Sequence, residues 1–298
     1  MENAIRKAGV LIEALPYIRS FRDKVTVIKL GGSVMEDAGA LRDLLQDVVF
    51  METVGMRPVL VHGGGKAIDR AMAAAGITPK KVQGRRVTDE ETLRIVMRVL
   101  QEEINADIVR QIEELGGQAV PLHTGPLQAL FGRPIMLTDD EGQPLDLGRV
   151  GQVTWVNRPL IENYTRAGVV PVLPCIALDE QGRGLNINAD TAAAAVAIYL
   201  QAEKLVLLTD TPGILNERGD PESLIHSLDA PRCRELVGAG VIDSGMLPKV
   251  EACLDSLRAG VKKTHVIDGR LRHSLLLEIY TPEGVGTEIV QERTTVPS

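Results

Sequence analysis

Lys29 sits where a lysine is costly. It lies in the apolar, β-branched run Val25-Thr26-Val27-Ile28-Lys29-Leu30, and a buried ammonium there needs a cleft and an anion. Gly31-Gly32-Ser33 follows at once, and a second run, Pro58–Val61, ends on His62-Gly63-Gly64-Gly65-Lys66. Glycine lets the backbone approach a ligand closely, and exposed N–H groups form an anion cradle. In Leu185-Asn186-Ile187-Asn188-Ala189-Asp190, alternation puts Asn186, Asn188 and Asp190 on one side of an extended segment. Gly245-Met246-Leu247-Pro248-Lys249 opens a helix, where the dipole disfavours a cation unless a phosphate is bound. Each feature alone has an ordinary reading: tight turns for the glycines, a strand-end lysine, an N-cap aspartate, a solvated lysine. Together they point to a bound phosphate.

The familiar phosphate motifs are missing. G-x-x-x-x-G-K-[ST] fails because Lys66 is followed by Ala67 and position 60 is Leu60. G-x-G-x-x-G fails because Ile68 stands where the third glycine belongs. Neither the P-loop nor the dinucleotide fingerprint is supported.

The elements that must position these residues alternate. Strands are expected at 25–30, 58–61, 118–122, 169–173, 205–209, 263–267 and near 287–291, with a short β-segment at 80–87. Helices are expected at 39–54, 66–75, 158–167, 190–200, 229–239 and 246–259. A capping box at Thr88-Asp89-Glu90-Glu91 opens a periodic pattern that runs to about Leu115. Residues 123–157 suit a hairpin excursion, and 174–188 a loop or hairpin. Ile5, Ala8, Leu11, Ile12 and Leu15 mark an amphipathic helix over 4–15, interrupted by Pro16. Its stripe serves either its own domain or an oligomer contact. Alternating strands and helices mean βαβ units and a mostly parallel sheet.

Composition agrees. A chain of 298 residues with 44% hydrophobic and 3% aromatic residues fills its core from Val, Leu, Ile and Ala, the usual filling of a sheet covered on both faces. The formal charge, 33 − 40 = −7, argues against nucleic-acid binding, which needs clustered cations. Cys175, Cys233 and Cys253 form no CxxC pair, so neither a disulfide framework nor a structural zinc is expected. No signal peptide or membrane span is expected, and a cytoplasmic location fits.

Taken in order along residues 25–290, the segments Val27-Ile28-Lys29-Leu30-Gly31-Gly32, Val61-His62-Gly63-Gly64-Gly65, Gly84-Arg85-Arg86-Val87-Thr88, Asn186–Asp190, Thr209-Asp210-Thr211-Pro212-Gly213-Ile214-Leu215 and Gly245–Lys249 resemble the amino-acid kinase family. The match is best to its branch acting on N-acetyl-L-glutamate. The resemblance implies a three-layer αβα sandwich of two lobes around a mostly parallel sheet. An N-terminal helix (1–20) would serve oligomerisation, 21–180 would bind the acyl amino acid and dimerise, and 181–298 would bind ATP. The lobe boundary is expected near 175–185, where Pro174, Gly182 and Gly184 interrupt the pattern.

It further implies that Lys29 and Lys249 flank the transferring phosphoryl and that Asp190 holds them. Gly64, Gly65, Arg86, Asn186 and Asn188 would hold N-acetyl-L-glutamate. Gly31, Gly32, Asp210, Thr211, Pro212, Gly213, Ile214, Leu215, Val241, Ile242 and Asp243 would line ATP with Mg²⁺; no protein metal site is expected. A carboxylate acceptor is already ionised near neutral pH, so no general base is required. Transfer then needs positioning and positive charge. Arg86 suits a bidentate grip on the substrate's other carboxylate, and His62 is expected to be structural.

Two features resemble the arginine-sensitive members. One is the leading helix, which implies a hexamer built as a trimer of dimers. The other is the tail from His273 to Thr281 with Glu283-Gly284-Val285-Gly286-Thr287, which implies an L-arginine site using His273, Glu278, Glu283 and Gly284. A nitrogen-signalling partner is compatible with this branch. Two alternatives stay open: a kinase of carrier-linked α-aminoadipate, and a non-catalytic nucleotide-binding protein on the same fold.

Overall fold

The computed structural model describes every residue except 139–140, 218, 243–244, 281–283 and 292–298, together with the side chains of Asn3, Lys7 and Tyr280. Helix α1 (Glu2–Phe21) leads into β1 (Val25–Leu30), α2 (Gly32–Glu36), α3 (Ala38–Thr53), β2 (Arg57–His62) and α4 (Gly65–Ala74). A small hairpin, β3 (Lys81–Val82) and β4 (Arg85–Arg86), precedes a long helical stretch. That stretch comprises α5 (Glu90–Met97), a π-helical segment (Arg98–Asn105) and α6 (Ala106–Glu114). Then come β5 (Ala119–Pro121), β6 (Leu130–Pro134), the ribbon β7 (Leu137–Thr138) and β8 (Pro144–Leu145), and β9 (Val150–Val156). The chain continues with α7 (Arg158–Arg166), β10 (Val170–Pro174), β11 (Ile176–Leu178), β12 (Gly184–Ile187), α8 (Ala189–Leu200) and β13 (Lys204–Thr209). It closes with β14 (Ser227–Asp229), α9 (Ala230–Gly238), α10 (Leu247–Arg258), β15 (Lys263–Asp268), α11 (Ser274–Tyr280) and β16 (Thr287–Val290).

Eight strands form one sheet in the order β14-β16-β15-β13-β1-β2-β10-β5, parallel except for the β15–β16 pair. Successive side chains of a strand face opposite sides, and both sides here are buried. Val27, Val61, Leu173, Leu205 and Leu207 join one core with the alanines of α8 and the apolar face of α10. Ile28, Leu30, Leu60, Val172, Val206 and Leu208 join the other with α3, α6 and α11. The result is the expected three-layer αβα arrangement. Strands β6, β9, β11 and β12 close a small barrel beside it.

Four local expectations change. Helix α1 runs through Pro16 to Phe21 instead of ending before it. Proline removes only the bond to the Ile12 carbonyl, and Ile12 is exposed, so water can take that carbonyl. The cap of α5 is Asp89, which accepts from the Thr92 amide; Thr88 donates its hydroxyl to the Arg86 carbonyl instead. The 88–115 pattern is not one regular helix, because the π-helical turn interrupts it. The cap of α8 is Asn188, whose Oδ1 accepts from the Asp190 and Thr191 amides, leaving the Asp190 carboxylate for another use. Two short elements, α2 and β14, had no clear sequence signal.

Candidate active site

Ligands of open α/β sheets gather beyond the carboxyl ends of the strands, where the winding reverses. Strands β1 and β13 meet there, since β1 leads to α3 on one face and β13 leads towards α9 and α10 on the other. Lys29 occupies that end of β1, between Val61 and Leu207 in the neighbouring strands. It shares the face of Val27, which is the face covered by α8.

Because Asn188 caps α8, Asp190 in its first turn is free to meet the strand. Its Oδ1 lies 2.9 Å from Lys29 Nζ and its Oδ2 3.4 Å from Lys249 Nζ. Lys249 comes from the first turn of α10, where Pro248 fits because its missing N–H would have no helical partner. Both the Lys29 and the Asp190 side chains are almost fully buried. Burial would raise the Asp190 carboxyl, but the two ammonium groups outweigh it and hold the carboxyl below the ordinary value. Two cations on one carboxylate leave surplus positive charge aimed into the cleft. An arriving phosphoryl group would meet it without any reorganisation of the protein.

The glycines divide into two kinds. A Cβ on Gly31 would lie 2.4 Å from the Leu208 carbonyl oxygen, and one on Gly64 would lie 2.6 Å from Ile104 Cδ1. These two permit close packing under the turns. Gly32 and Gly65 have open space where a Cβ would be, and they begin α2 and α4, whose first N–H groups have no helical acceptor. Gly32, Gly64 and Gly65 line a 280 Å³ cavity together with Lys29, Lys66, Asn188 and Asp190.

A contiguous 190 Å³ cavity carries Gly64, Gly65, Arg85, Arg86, Asn186 and Asn188. Arg86 reaches it from β4, and Gln83 and Gly84 both adopt positive φ at the tip of that hairpin. Its guanidinium pairs with Asp69 Oδ1 at 2.6 Å and donates to the Gly65 carbonyl at 3.2 Å. Asn186 donates to Thr88 Oγ1 at 3.1 Å. Asn188 lines both cavities, but its carbonyl oxygen is committed to capping α8.

On the far side of Lys249 lies a larger cavity of 460 Å³. Asp210, Thr211, Gly213, Ile214, Leu215, Val241, Ile242 and Lys249 line it. Pro212, Gly31 and Gly32 do not line it, and Asp243 falls outside the described residues. The three cavities bring most of the expected binding residues to one edge of the sheet, with the Lys29–Asp190–Lys249 cluster where they meet.

The tail residues lie elsewhere, on the α11 face. His273 Nδ1 is 2.6 Å from Asp47 Oδ1. Glu278 Oε1 is 2.6 Å from His265 Nδ1, and its Oε2 accepts from the Val285 amide at 2.9 Å. Gly284 adopts φ +65° against the Glu278 carboxylate; Glu283 falls outside the described residues. Sequence reasoning missed Asp69, Thr88 and Asn105. Only Asn105 carries a signal, as a polar residue on a buried helix face.

The profile of the amino acid kinase family matches residues 24–268. The acetylglutamate kinase of Moorella thermoacetica is 48% identical over 289 residues, covering 96% of this chain and 98% of that protein. That of Methanobrevibacter smithii is 42% identical over 290 residues, with 96% and 99% covered. Among solved structures, the N-acetylglutamate synthase of Neisseria gonorrhoeae complexed with coenzyme A and N-acetyl-glutamate superposes with TM-score 0.84 at 29% identity. That comparison covers 96% of this chain but only 63% of the synthase. The same synthase with coenzyme A and L-arginine gives TM-score 0.80 at 29% identity over 94% of this chain and 64% of its own. Carbamate kinase from Giardia lamblia bound to AMP-PNP shares the fold at TM-score 0.63 and 17% identity, with 91% and 99% covered.

Proposed function

The chain belongs to the amino acid kinase family, and from that premise we propose that it transfers the γ-phosphoryl group of ATP to the side-chain carboxylate of N-acetyl-L-glutamate. The products are the acyl phosphate and ADP, and the reaction serves arginine biosynthesis. The carrying observation is the Lys29–Asp190–Lys249 cluster at the junction of a 460 Å³ cavity and two smaller polar ones. ATP takes the larger cavity, against Thr211, Gly213, Ile214 and Val241. N-acetyl-L-glutamate takes the smaller ones, with its α-carboxylate on Arg86 and its amide on Asn186. The side-chain carboxylate is a nucleophile as it stands, so no protein base is needed. Lys29 and Lys249 neutralise charge on the oxygens of the moving phosphoryl group, while Asp190 keeps both in line.

Among the described residues no group of three or more His, Cys, Asp or Glu could hold a metal. Magnesium would enter as MgATP, carried on the nucleotide phosphates, in keeping with its preference for phosphate and water ligands. The reading extends to a cytoplasmic location, feedback inhibition by L-arginine and a hexameric trimer of dimers joined through α1. Support for the last two comes from the place where α1 ends. Phe21 lies under the buried Lys204, with the ammonium 4.7 Å from the ring centroid. Lys204 in turn acts electrostatically on Glu278, which links the end of the leading helix to the tail. Exposed Ile5, Leu11 and Ile12 give α1 an apolar stripe for a neighbouring copy.

Acyl phosphate formation, trapped as the hydroxamate, tests the reaction. N-acetyl-L-glutamate should give product at a rate far above that with free α-aminoadipate or its carrier-linked form. Product only with the carrier-linked substrate transfers the assignment to lysine biosynthesis. ATP binding with no product from either makes the chain a nucleotide-binding protein.

A further inference from the structure

The α5–α6 stretch holds a polar arrangement that the reaction as described does not use. Its buried positions run Leu93, Val96, Val99, Leu100 and then Asn105, Ile108 and Ile112. The step from Leu100 to Asn105 is five residues, the advance of a π turn, where an α-helix advances by three or four. The inserted residue rotates Asn105 onto the buried face. There its Nδ2 reaches the Val172 carbonyl at 3.1 Å and His62 Nε2 at 2.9 Å. His62 Nδ1 lies 3.1 Å from the carbonyl oxygen of Gly63. Two carbonyl oxygens settle the protons, because neither can donate. The Asn105 amide must turn its NH₂ to Val172, so it also donates to Nε2, and the proton on the imidazole must sit on Nδ1. His62 is fully buried, and burial pushes its pKa down to about 4, so the ring stays neutral.

We propose that Asn105 and His62 form a positioning relay: the π turn aims Asn105, Asn105 fixes the His62 tautomer, and His62 turns the Gly63–Gly64 peptide so that the Gly64 N–H points at the reacting anion. In a trans peptide the C=O and N–H point in opposite directions, and no described peptide is cis. With the Gly63 carbonyl held on the ring side, the Gly64 amide faces away from the ring, towards the cavities that Gly63, Gly64 and Gly65 line. The same π segment packs Leu100 and Ile104 against Gly64, so it supports the turn from two directions. The inference rests on the kinase reading, and His62 acts through the backbone without touching substrate.

Asparagine places its NH₂ where Nδ1 stands, whereas glutamine places its NH₂ where Nε2 stands. His62→Asn therefore keeps the bond to Gly63, and His62→Gln loses it. His62→Gln should lower kcat by roughly 10²–10³, the loss typical of one misaimed oxyanion donor, with KM for ATP unchanged. His62→Asn should recover most of that loss. Asn105→Leu should fall between them. Histidine ¹⁵N spectra of the wild-type protein at neutral pH, with His62→Asn as the assignment control, should show His62 protonated on Nδ1. Equal losses in the Asn and Gln variants, near-wild-type kcat in both, or an Nε2–H tautomer would each overturn the relay. A wild-type protein that forms no acyl phosphate from N-acetyl-L-glutamate overturns the kinase reading instead, and the tautomer measurement still decides the geometry.

Discussion

Asp190→Asn isolates the centre of the site, because it keeps shape and removes charge. At an effective dielectric of about 20, contacts at the observed 2.9 and 3.4 Å are each worth roughly 5 kcal/mol before desolvation. Net of desolvation, removing one partner of a buried pair costs about 3–5 kcal/mol. The Lys29 side chain is only 9% exposed, so water cannot replace the lost carboxylate. The ligand-free variant should therefore be less stable by about 3 kcal/mol, while kcat falls by roughly 10² as the lysines lose their alignment. MgATP should restore stability more strongly in the variant than in the wild type, because its phosphates supply the missing anion. Urea titrations with and without MgATP, paired with hydroxamate kinetics, give all three quantities. Unchanged ligand-free stability together with kcat within threefold of wild type would refute the argument that one carboxylate holds both lysines.

Lys29→Ala and Lys249→Ala should each lower kcat by roughly 10²–10³ with smaller changes in ATP affinity, and steady-state kinetics with near-wild-type kcat in either would remove that residue from the phosphoryl path. Arg86→Lys loses the planar fork that engages Asp69 and Gly65, so KM for N-acetyl-L-glutamate should rise about tenfold while KM for ATP stays put; equal changes in both would place Arg86 elsewhere. Deleting residues 1–20 should leave an active dimer with weaker, less sigmoidal arginine inhibition, read by light scattering and arginine titration; a full-length dimer, or indifference to millimolar arginine, would refute the corresponding half. Stability should fall on acidification below about pH 6.5. His62, His123 and His265 all have pKa values lowered chiefly by burial, His62 to about 4, so in that window the unfolded chain binds more protons and gains. A flat urea midpoint between pH 7 and 5 would contradict it.

Much of the scaffold was legible because it is local. The largely apolar runs at 25–30 and 205–209 become neighbouring strands of the sheet, since apolar runs suit strands buried on both faces. The glycine turns were legible because glycine is the residue for close backbone approach, as at Gly31, where a Cβ would meet the Leu208 carbonyl oxygen at 2.4 Å. The family resemblance made the binding residues readable as sets, and the cavities gather most of those sets.

What the chain alone could not decide depends on partners distant in sequence. Asn188, not Asp190, caps α8, because the carboxylate gains more from two lysines brought in by β1 and α10. Arg86 already has a carboxylate, Asp69, 17 positions earlier in the chain, and Glu278 has His265; no spacing rule reveals either pair. The π turn follows from tertiary packing too: Asn105 must face His62 and Val172, with Ile108 and Ile112 in the core, while Leu93, Val96 and Leu100 upstream stay buried as well. An unbroken α-helix cannot meet both demands, so the fold gives up regular hydrogen bonding there to set a buried amide beneath the glycine turn.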